Sequence, residues 1–275
     1  MAHGRFLASS KQVIAMMKID MHFHTMLSKD SAIPLTALAA KIIHEKGLQG
    51  IAVTDHNTCK GISRLLQIFN KFNLTLIPAE EIKTPGGGEV LCYFIQEEIP
   101  RGSLGEILDA ARDQDAITVL AHPVDYIRGN WSRLLSNPRE LKKIIPRLDG
   151  IEVFNSRNYS PRGNWMAFRT AREYDLLGVA GSDAHNLFEI GTTFTKFECQ
   201  SNKLDDLHAC MKHKEISPVS RERILKPISL ILPTYKSQRF VFGLVKKLHS
   251  ALNSVLPPFK RWQQTSPSFI NQNEL

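Results

Sequence analysis

Short apolar runs alternate with longer amphipathic stretches along most of this chain, and this alternation limits the folds that it can adopt. Runs such as residues 50–54 and 150–155 are apolar and β-rich, and stretches with helical periodicity lie between such runs. Strands that are connected by helices and lack a polar face belong to parallel sheets or barrels covered by helices. The pattern therefore predicts an α/β fold with six or seven strands.

The boundaries of the predicted elements follow from the same periodicity. We expect strands over residues 18–22, 50–54, 74–81, 89–95, 116–121, 150–155 and 179–182. We expect helices over residues 34–46, 60–72, 103–114 and 203–212. Ser103 followed by Glu106 has the spacing of a capping box, and three consecutive glycines from Gly86 predict a turn.

Composition narrows the class of protein. No apolar run reaches the roughly 20 residues that a membrane-spanning helix needs, and the first 17 residues lack the apolar core of a signal peptide. We therefore expect a cytoplasmic protein. The four cysteines are scattered without a C-x-x-C pair, which argues against a zinc ribbon and a disulfide framework, so we expect them to be reduced.

The net charge of +8 is concentrated in the last part of the chain. From Pro218 onward there are nine Lys/Arg and two Asp/Glu, whereas the first 217 residues have 26 and 25. We predict three parts: an N-terminal extension (1–16), a main domain (17–222) and a basic C-terminal extension (223–275). Residues 239–256 have amphipathic helical spacing. This segment either packs on the main domain or docks on a partner, an anionic membrane surface or nucleic acid.

Metal-ligating residue types follow five of the predicted strands directly. In parallel α/β folds the functional groups gather at the carboxyl ends of strands, so side chains in these positions should lie together. Imidazoles and carboxylates at one site are typical of a centre that holds more than one metal ion. The sequences concerned are D-M-H-F-H-T, V-T-D-H-N-T, A-E-E-I, A-H-P and G-S-D-A-H.

This ordered set, together with S-K-D-S at residues 28–31, resembles the PHP family, named for polymerase and histidinol phosphatase. The similarity covers about residues 17–222 and is strongest to stand-alone PHP phosphoesterases. It implies a distorted (β/α)7 TIM-like barrel with two or three divalent metal ions, Mn, Zn or Fe, in its mouth.

The resemblance also implies a ligand set. A first metal would be held by His22, His24, Glu81 and Asp183, and a second by Asp30, His56 and His185. His122 would contribute to a third, with Glu81 bridging. The chain departs from the family at one position: many members have E-I-H after the strand that carries the glutamate, but here Leu91 stands in the place of that histidine. Leu91 cannot bind a metal, whereas Glu89 or Cys92 could compensate.

A multi-metal centre of this kind suggests hydrolysis of a phosphoester by a metal-bound hydroxide. Arg157 follows another strand into the same mouth and would grip the substrate phosphate, or it forms a salt bridge in a surface loop. Asp20 lies two residues before His22, and Asp55 directly precedes His56, so both would orient imidazoles. Asp55 is equally a candidate for a turn carboxylate.

The sequence leaves the substrate open. The expected partners are a small phosphorylated metabolite, a nucleotide or an oligonucleotide end. Amidohydrolase-type C–N hydrolysis is the alternative reaction, although V-T-D-H-N-T and the Asp183-x-His185 pair fit it poorly. A non-enzymatic metal-binding scaffold is a third reading, which Leu91 keeps open.

Overall fold

The computed structural model describes residues 15–125, 131–158, 161–199 and 201–220. These residues form one mixed sheet with helices packed against it. The nine strands are β1 (Ala15–Phe23), β2 (Gly50–Val53), β3 (Thr75–Lys83), β4 (Glu89–Tyr93), β5 (Ile117–Leu120), β6 (Gly150–Asn155), β7 (Leu177–Gly181), β8 (Thr193–Cys199) and β9 (Ile216–Ser220). All seven predicted strands are present, and β8 and β9 were not predicted.

The sheet curves into a nearly closed barrel. Its strand order is β7-β6-β5-β4-β3-β2-β1-β8-β9. Just beyond β7, the chain returns to β1: the Asp183 amide donates to the His22 carbonyl at 2.7 Å, and the His24 amide donates to the Ala184 carbonyl at 3.1 Å. Gly181 permits this approach, because a Cβ added there would lie 2.3 Å from His22 Cβ. The barrel-type α/β fold is thus confirmed.

Two strands of the sheet, β4 and β8, run against both of their neighbours. β1 and β2, β2 and β3, β5 and β6, and β6 and β7 pair in parallel, whereas β4 is antiparallel to both β3 and β5. Only the short turn with Gly86–Gly88 joins β3 to β4, and a connection this short can link only antiparallel strands. The start of β4 therefore lies at the same end of the barrel as the carboxyl ends of β3 and β5.

In the described ranges, seven α-helices cover the sheet or extend its connections. Ser103 caps the third of them, and the reciprocal Glu106 bond completes the predicted capping box. Asn137 caps the fifth, which has a proline at its first position. The helices are α1 (Ala37–Glu45), α2 (Ile62–Phe69), α3 (Leu104–Asp113), α4 (Ser132–Leu135), α5 (Pro138–Ile144), α6 (Pro161–Glu173) and α7 (Leu204–Lys212).

Apolar side chains fill both the barrel and the space under the helices. Met21, Ile77, Leu91 and Val119, from four different strands, belong to one buried cluster. Two further clusters pack the sheet against α1 and α2 and against α3 and α6. Burial of apolar surface contributes about 25 cal/mol per Å², so these layers hold the strand ends in fixed relative positions.

Three expectations about the rest of the chain have different outcomes. Cys199 on β8 and Cys210 on α7 form a disulfide, so the prediction that all four cysteines are reduced is wrong for this pair. The predicted amphipathic helix at residues 239–256 lies outside the described residues. Among the residues that the structure does describe, no helix is long and apolar enough to cross a membrane.

Candidate metal centre

The predicted ligands come from the mouth-facing ends of the strands. His22 and Glu81 lie near the carboxyl ends of β1 and β3, and His122 follows β5. His56 follows β2, and its neighbourhood is tied to β3 by a bridge to Glu81. Asp183 follows β7, where the chain closes onto β1. The eight predicted metal ligands thus converge at one end of the barrel.

Four of these residues surround a common point at the floor of the mouth. His22 Nε2 and His24 Nε2 lie 3.0 Å apart. Asp183 Oδ1 lies 3.7 Å from the first nitrogen and 3.4 Å from the second. Glu81 Oε1 lies 3.4 Å from His22 Nε2, and Glu81 Oε2 lies 3.3 Å from His24 Nε2. This is the set that the resemblance implies for a first metal.

A second group gathers around Asp30, nearer the rim. Asp30 Oδ2 lies 3.3 Å from His56 Nε2 and 3.3 Å from His185 Nε2. His185 Nδ1 is 2.9 Å from the Asp183 carbonyl oxygen, which leaves Nε2 facing the group. His24, His56 and His185 also offer nitrogen atoms that all lie within 4.8 Å of one another. This is the set implied for a second metal.

Glu81 joins the groups. Besides His22 and His24, its carboxylate contacts His56 Nδ1 at 3.1 Å and His122 Nε2 at 3.1 Å. It is 1% exposed. A single buried carboxylate that contacts four imidazoles has the position expected of a bridging ligand. Its neighbour Glu80 faces the other side of β3, where it accepts a hydrogen bond from the Ile99 amide at 2.5 Å.

His122 lies beside Glu89, one of the two residues that could compensate for Leu91 as a ligand. Its Nε2 is 3.3 Å from Glu89 Oε2, at the start of β4. Leu91 is buried within the barrel cluster, where it pairs with Glu81 and Val119. The reversed direction of β4 brings Glu89 to the mouth, and this direction is the signal that the sequence pattern alone did not provide.

Hydrogen bonds from buried side chains orient the imidazoles. Glu152 Oε1 lies 3.0 Å from His22 Nδ1, and Ser28 Oγ lies 2.9 Å from His24 Nδ1, so in each ring Nε2 faces the centre. Asp55 accepts hydrogen bonds from the Ser28 hydroxyl at 2.8 Å and from the Thr25 amide at 2.7 Å. Asp55 therefore acts on His24 through Ser28 and also braces the turn after β1. Glu152 was not predicted as a site residue.

Asp20 lies beneath the centre. It accepts hydrogen bonds from the amide and the hydroxyl of Ser182 and from the His22 amide. Burial raises the pKa of Asp20 to about 7, although these hydrogen bonds favour its ionised form. Asp20 contacts the backbone of His22 rather than its imidazole, so it fixes the closure between β1 and the chain after β7.

Arg157 lies at the rim and faces the centre. Its Nη1 is 3.9 Å from Asp183 Oδ1, and its Nε is 3.8 Å from Glu189 Oε1. The Arg157 and His56 side chains are 26% and 25% exposed, and that of Asp30 is 53% exposed. The floor residues are at most 1% exposed. The centre is therefore closed below and open on the side of these three residues.

The buried charges strongly perturb one another. Burial disfavours the charged form of His22, but Glu152, Glu81 and Asp183 outweigh that effect and raise its pKa well above the usual range. Burial also opposes charge on His56, yet Asp30 and Glu81 raise its pKa to about 11. For His185, burial and the charge of His24 lower the pKa to about 4. The free-energy cost of burying these charged groups close together is lowest when the carboxylates share a bound cation.

The donor set fits divalent metal ions. Imidazole nitrogens with carboxylate oxygens suit Mn, Fe or Zn. His122 Nδ1 is buried and has no hydrogen-bond partner within the described part of the chain. Two of the predicted ligands, His122 and Asp183, have positive backbone φ angles of 24° and 54°, which non-glycine residues adopt mainly where function or packing enforces it.

Comparisons with known proteins identify the family to which the chain is similar. Residues 20–148 match the PHP domain model, and residues 161–215 match the model of a PHP-associated region. The uncharacterized protein MJ0417 of Methanocaldococcus jannaschii is 34% identical over 242 residues, which cover 87% of this chain and 94% of that protein.

Two solved structures show the same fold at low sequence identity. One is a two-domain protein from Bacteroides vulgatus that contains a predicted PHP-like metal-dependent phosphoesterase; the TM-score is 0.63 at 17% identity, over 76% of this chain and 66% of that one. The other is an amidohydrolase from Chromobacterium violaceum with bound sulfate and no metal, with a TM-score of 0.51 at 14% identity, over 61% and 87% of the two chains.

The family match and the clustered ligands together support a metal-dependent hydrolase. The matched regions include every strand end that carries a predicted ligand, from His22 to His185. This chain belongs to the PHP domain family.

Proposed function

We propose that this protein hydrolyses phosphoesters with at least two divalent metal ions held at the mouth of the barrel. The observation that carries the proposal is the position of Glu81, which contacts His22 of the first group through Oε1, and His24 of the first group and His56 of the second through Oε2. When bound, the ions supply Lewis acidity toward the phosphoryl oxygens and lower the pKa of an attacking water. The closed floor and open rim leave one side for an anionic substrate.

The residues of this chain have separate roles in the proposed reaction. His22, His24, Glu81 and Asp183 hold one ion, and Asp30, His56 and His185 hold the other. Glu152 and the Ser28–Asp55 pair fix the ring orientations by hydrogen bonds to the opposite nitrogens. Arg157 binds a non-bridging phosphoryl oxygen at the rim, beside Asp183.

A substrate panel tests the reaction class. We expect the Mn-loaded protein to release inorganic phosphate or cleave a phosphodiester from at least one of three groups: nucleotides, sugar phosphates or short oligonucleotides. Amides and cyclic ureides, assayed in parallel for C–N hydrolysis, should remain intact. Turnover of the C–N substrates alone would replace the phosphoester proposal with the amidohydrolase alternative.

Arg157→Ala should lower kcat/KM for the best phosphoester by about 10- to 100-fold, because hydrogen bonds to charged groups are worth about 1.5–3 kcal/mol. Arg157→Lys should recover only part of the loss, since an ammonium cannot make the paired contact of a guanidinium. Arg112→Ala, which removes an exposed arginine paired with Asp109 on α3, is the matched control and should be silent. Unchanged turnover by Arg157→Ala would remove Arg157 from the site.

A further inference from the structure

One glutamate at the mouth belongs to neither group of predicted metal ligands. Glu189 lies in the segment after β7, at residues 185–192, and its side chain is only 14% exposed. Among the described residues, it is absent from all four clusters whose atoms lie close enough to share a metal ion. Its carboxylate instead accepts the His185 amide at 2.8 Å and faces Arg157 Nε at 3.8 Å.

The segment that carries Glu189 is fixed in place. Leu187 and Ile190 are buried in the apolar cluster that packs the sheet against α1 and α2. The Glu189 amide donates to the Asn186 carbonyl at 3.2 Å, and the Glu189 carbonyl accepts the Thr192 hydroxyl at 2.8 Å. Packing and hydrogen bonds therefore hold the backbone of Glu189 in one position.

The same segment is tied to the loop that carries Arg157. The residue before Arg157 is Ser156, whose Oγ lies 2.9 Å from Thr192 Oγ1 and donates to the Ser182 carbonyl at 2.7 Å. These bonds fix the two loops relative to each other. The distance between Glu189 and Arg157 is thus determined by the fold as well as by their opposite charges.

Arg157 lies between two carboxylates. Its Nη1 is 3.9 Å from Asp183 Oδ1, and its Nε is 3.8 Å from Glu189 Oε1. Asp183 is a predicted metal ligand, so a guanidinium that moved onto it would compete with the cation for the same carboxylate. Attraction toward Glu189 opposes that movement. Because Nε faces Glu189, the two terminal nitrogens remain for a paired contact with a phosphoryl group.

We infer that Glu189 is a positioning residue, which holds Arg157 at the rim in the orientation that binds a phosphoryl oxygen. This inference rests on the proposed function, in which Arg157 binds the substrate. Glu189 itself touches neither the substrate nor the metal ions. Its bond to the His185 amide is a separate structural contact, and a glutamine at this position would keep it, since an amide oxygen also accepts a hydrogen bond.

Glu189→Gln in the full-length, Mn-loaded protein separates the two contacts. We expect kcat/KM for the best phosphoester to fall by about 3- to 10-fold, in the lower part of the range for residues in direct contact, with KM changed more than kcat. Bound Mn should stay at the level of the natural chain. Glu140→Gln, which removes an exposed carboxylate paired with Lys143 on α5, is the matched control and should be silent.

A double-mutant cycle with Arg157→Ala distinguishes positioning from a purely structural role. In the Arg157→Ala background, Glu189→Gln should cause no further loss, because no guanidinium is left to hold. Losses that multiply, or a lower Mn content in Glu189→Gln, would overturn the inference. If Glu189→Gln does not fold, Glu189→Asp completes the same cycle, and its loss should also vanish without Arg157.

Binding of inorganic phosphate provides a readout that needs no turnover. Calorimetry on the Mn-loaded proteins should show weaker phosphate binding in Glu189→Gln and in Arg157→Ala, and no additional weakening in the double variant. Multiplying losses in a natural chain that turns over phosphoesters would overturn this inference alone. A natural chain that neither binds phosphate nor turns over any phosphoester would overturn the proposed function, and this inference with it.

Discussion

Glu81→Gln should abolish phosphoester hydrolysis and release the bound metal ions. The carboxylate of Glu81 contacts His22, His24, His56 and His122, all at 3.1–3.4 Å. The glutamine side chain has the same shape and keeps one oxygen. Its NH₂ group cannot bind a cation, and it would lie next to imidazole nitrogens that must face one. Loss of an outer hydrogen-bond partner costs about 10- to 100-fold in metal affinity, so loss of a shared ligand should cost more than about 100-fold.

Glu80→Gln provides a matched control for this substitution. Glu80 is the neighbouring residue, is equally buried, and faces the opposite side of β3. Burial raises its pKa to about 7, and a glutamine oxygen can still accept the Ile99 amide. Glu80→Gln should therefore keep metal content and turnover within about twofold of the natural chain. Equal metal content in the two variants would show that Glu81 is not a ligand.

The sequence predicted the floor of the site because its ligands directly follow strands. The apolar runs that end at Asp20, Thr54 and Ala121 fix where each strand stops, and parallel neighbours bring those ends together. The pattern did not distinguish Glu80 from Glu81, since both stand in one strand on opposite faces. The resemblance to PHP proteins indicated Glu81 as the ligand, and the contacts of Glu81 agree with this prediction.

Residues whose role depends on strand direction or on distant pairing were harder to predict. Glu89 lies two residues from the place that the family pattern indicates, and only the antiparallel course of β4 brings it to the mouth. Glu152 reaches His22 across 130 positions of sequence. The strand β8 shows alternating burial over residues 195–199, but its partner β1 lies about 180 positions earlier, beyond any local signal.

The direction of Arg157 shows the same limit. Its position after β6 predicted that Arg157 lies near the mouth, but an arginine in a loop can equally point into solvent. In the structure the Asn155 side chain accepts the Arg157 amide at 2.9 Å and donates to Asp183 Oδ2 at 3.2 Å. This local network turns the loop toward Asp183, and no periodicity in the sequence encodes it.

Removing the metal ions should eliminate turnover and lower the melting temperature by about 10–20 °C. A ligand present at 100 times its dissociation constant stabilises the native state by about 2.7 kcal/mol, so two sites contribute about 5 kcal/mol. For a chain of this size each kcal/mol shifts Tm by about 2–4 °C. Chelation followed by dialysis, with Tm, turnover and metal content measured before and after Mn²⁺ is restored, checks both effects.

Protons should leave the site as the ions bind. Without an ion, burial lowers the pKa of His22, His24 and His56, but the neighbouring carboxylates outweigh this effect and raise each pKa above the usual range, so these rings hold protons more tightly than a free imidazole. Metal and proton compete for the same nitrogens, so apparent affinity should rise with pH and calorimetric heats should depend on the buffer. Glu98→Gln, which removes an exposed carboxylate that accepts a hydrogen bond from the Thr58 hydroxyl, should show the same rise of metal affinity with pH as the natural chain. Turnover that persists in chelated, metal-free protein would overturn the mechanism, because His22, His24, Glu81 and Asp183 would then converge for another reason.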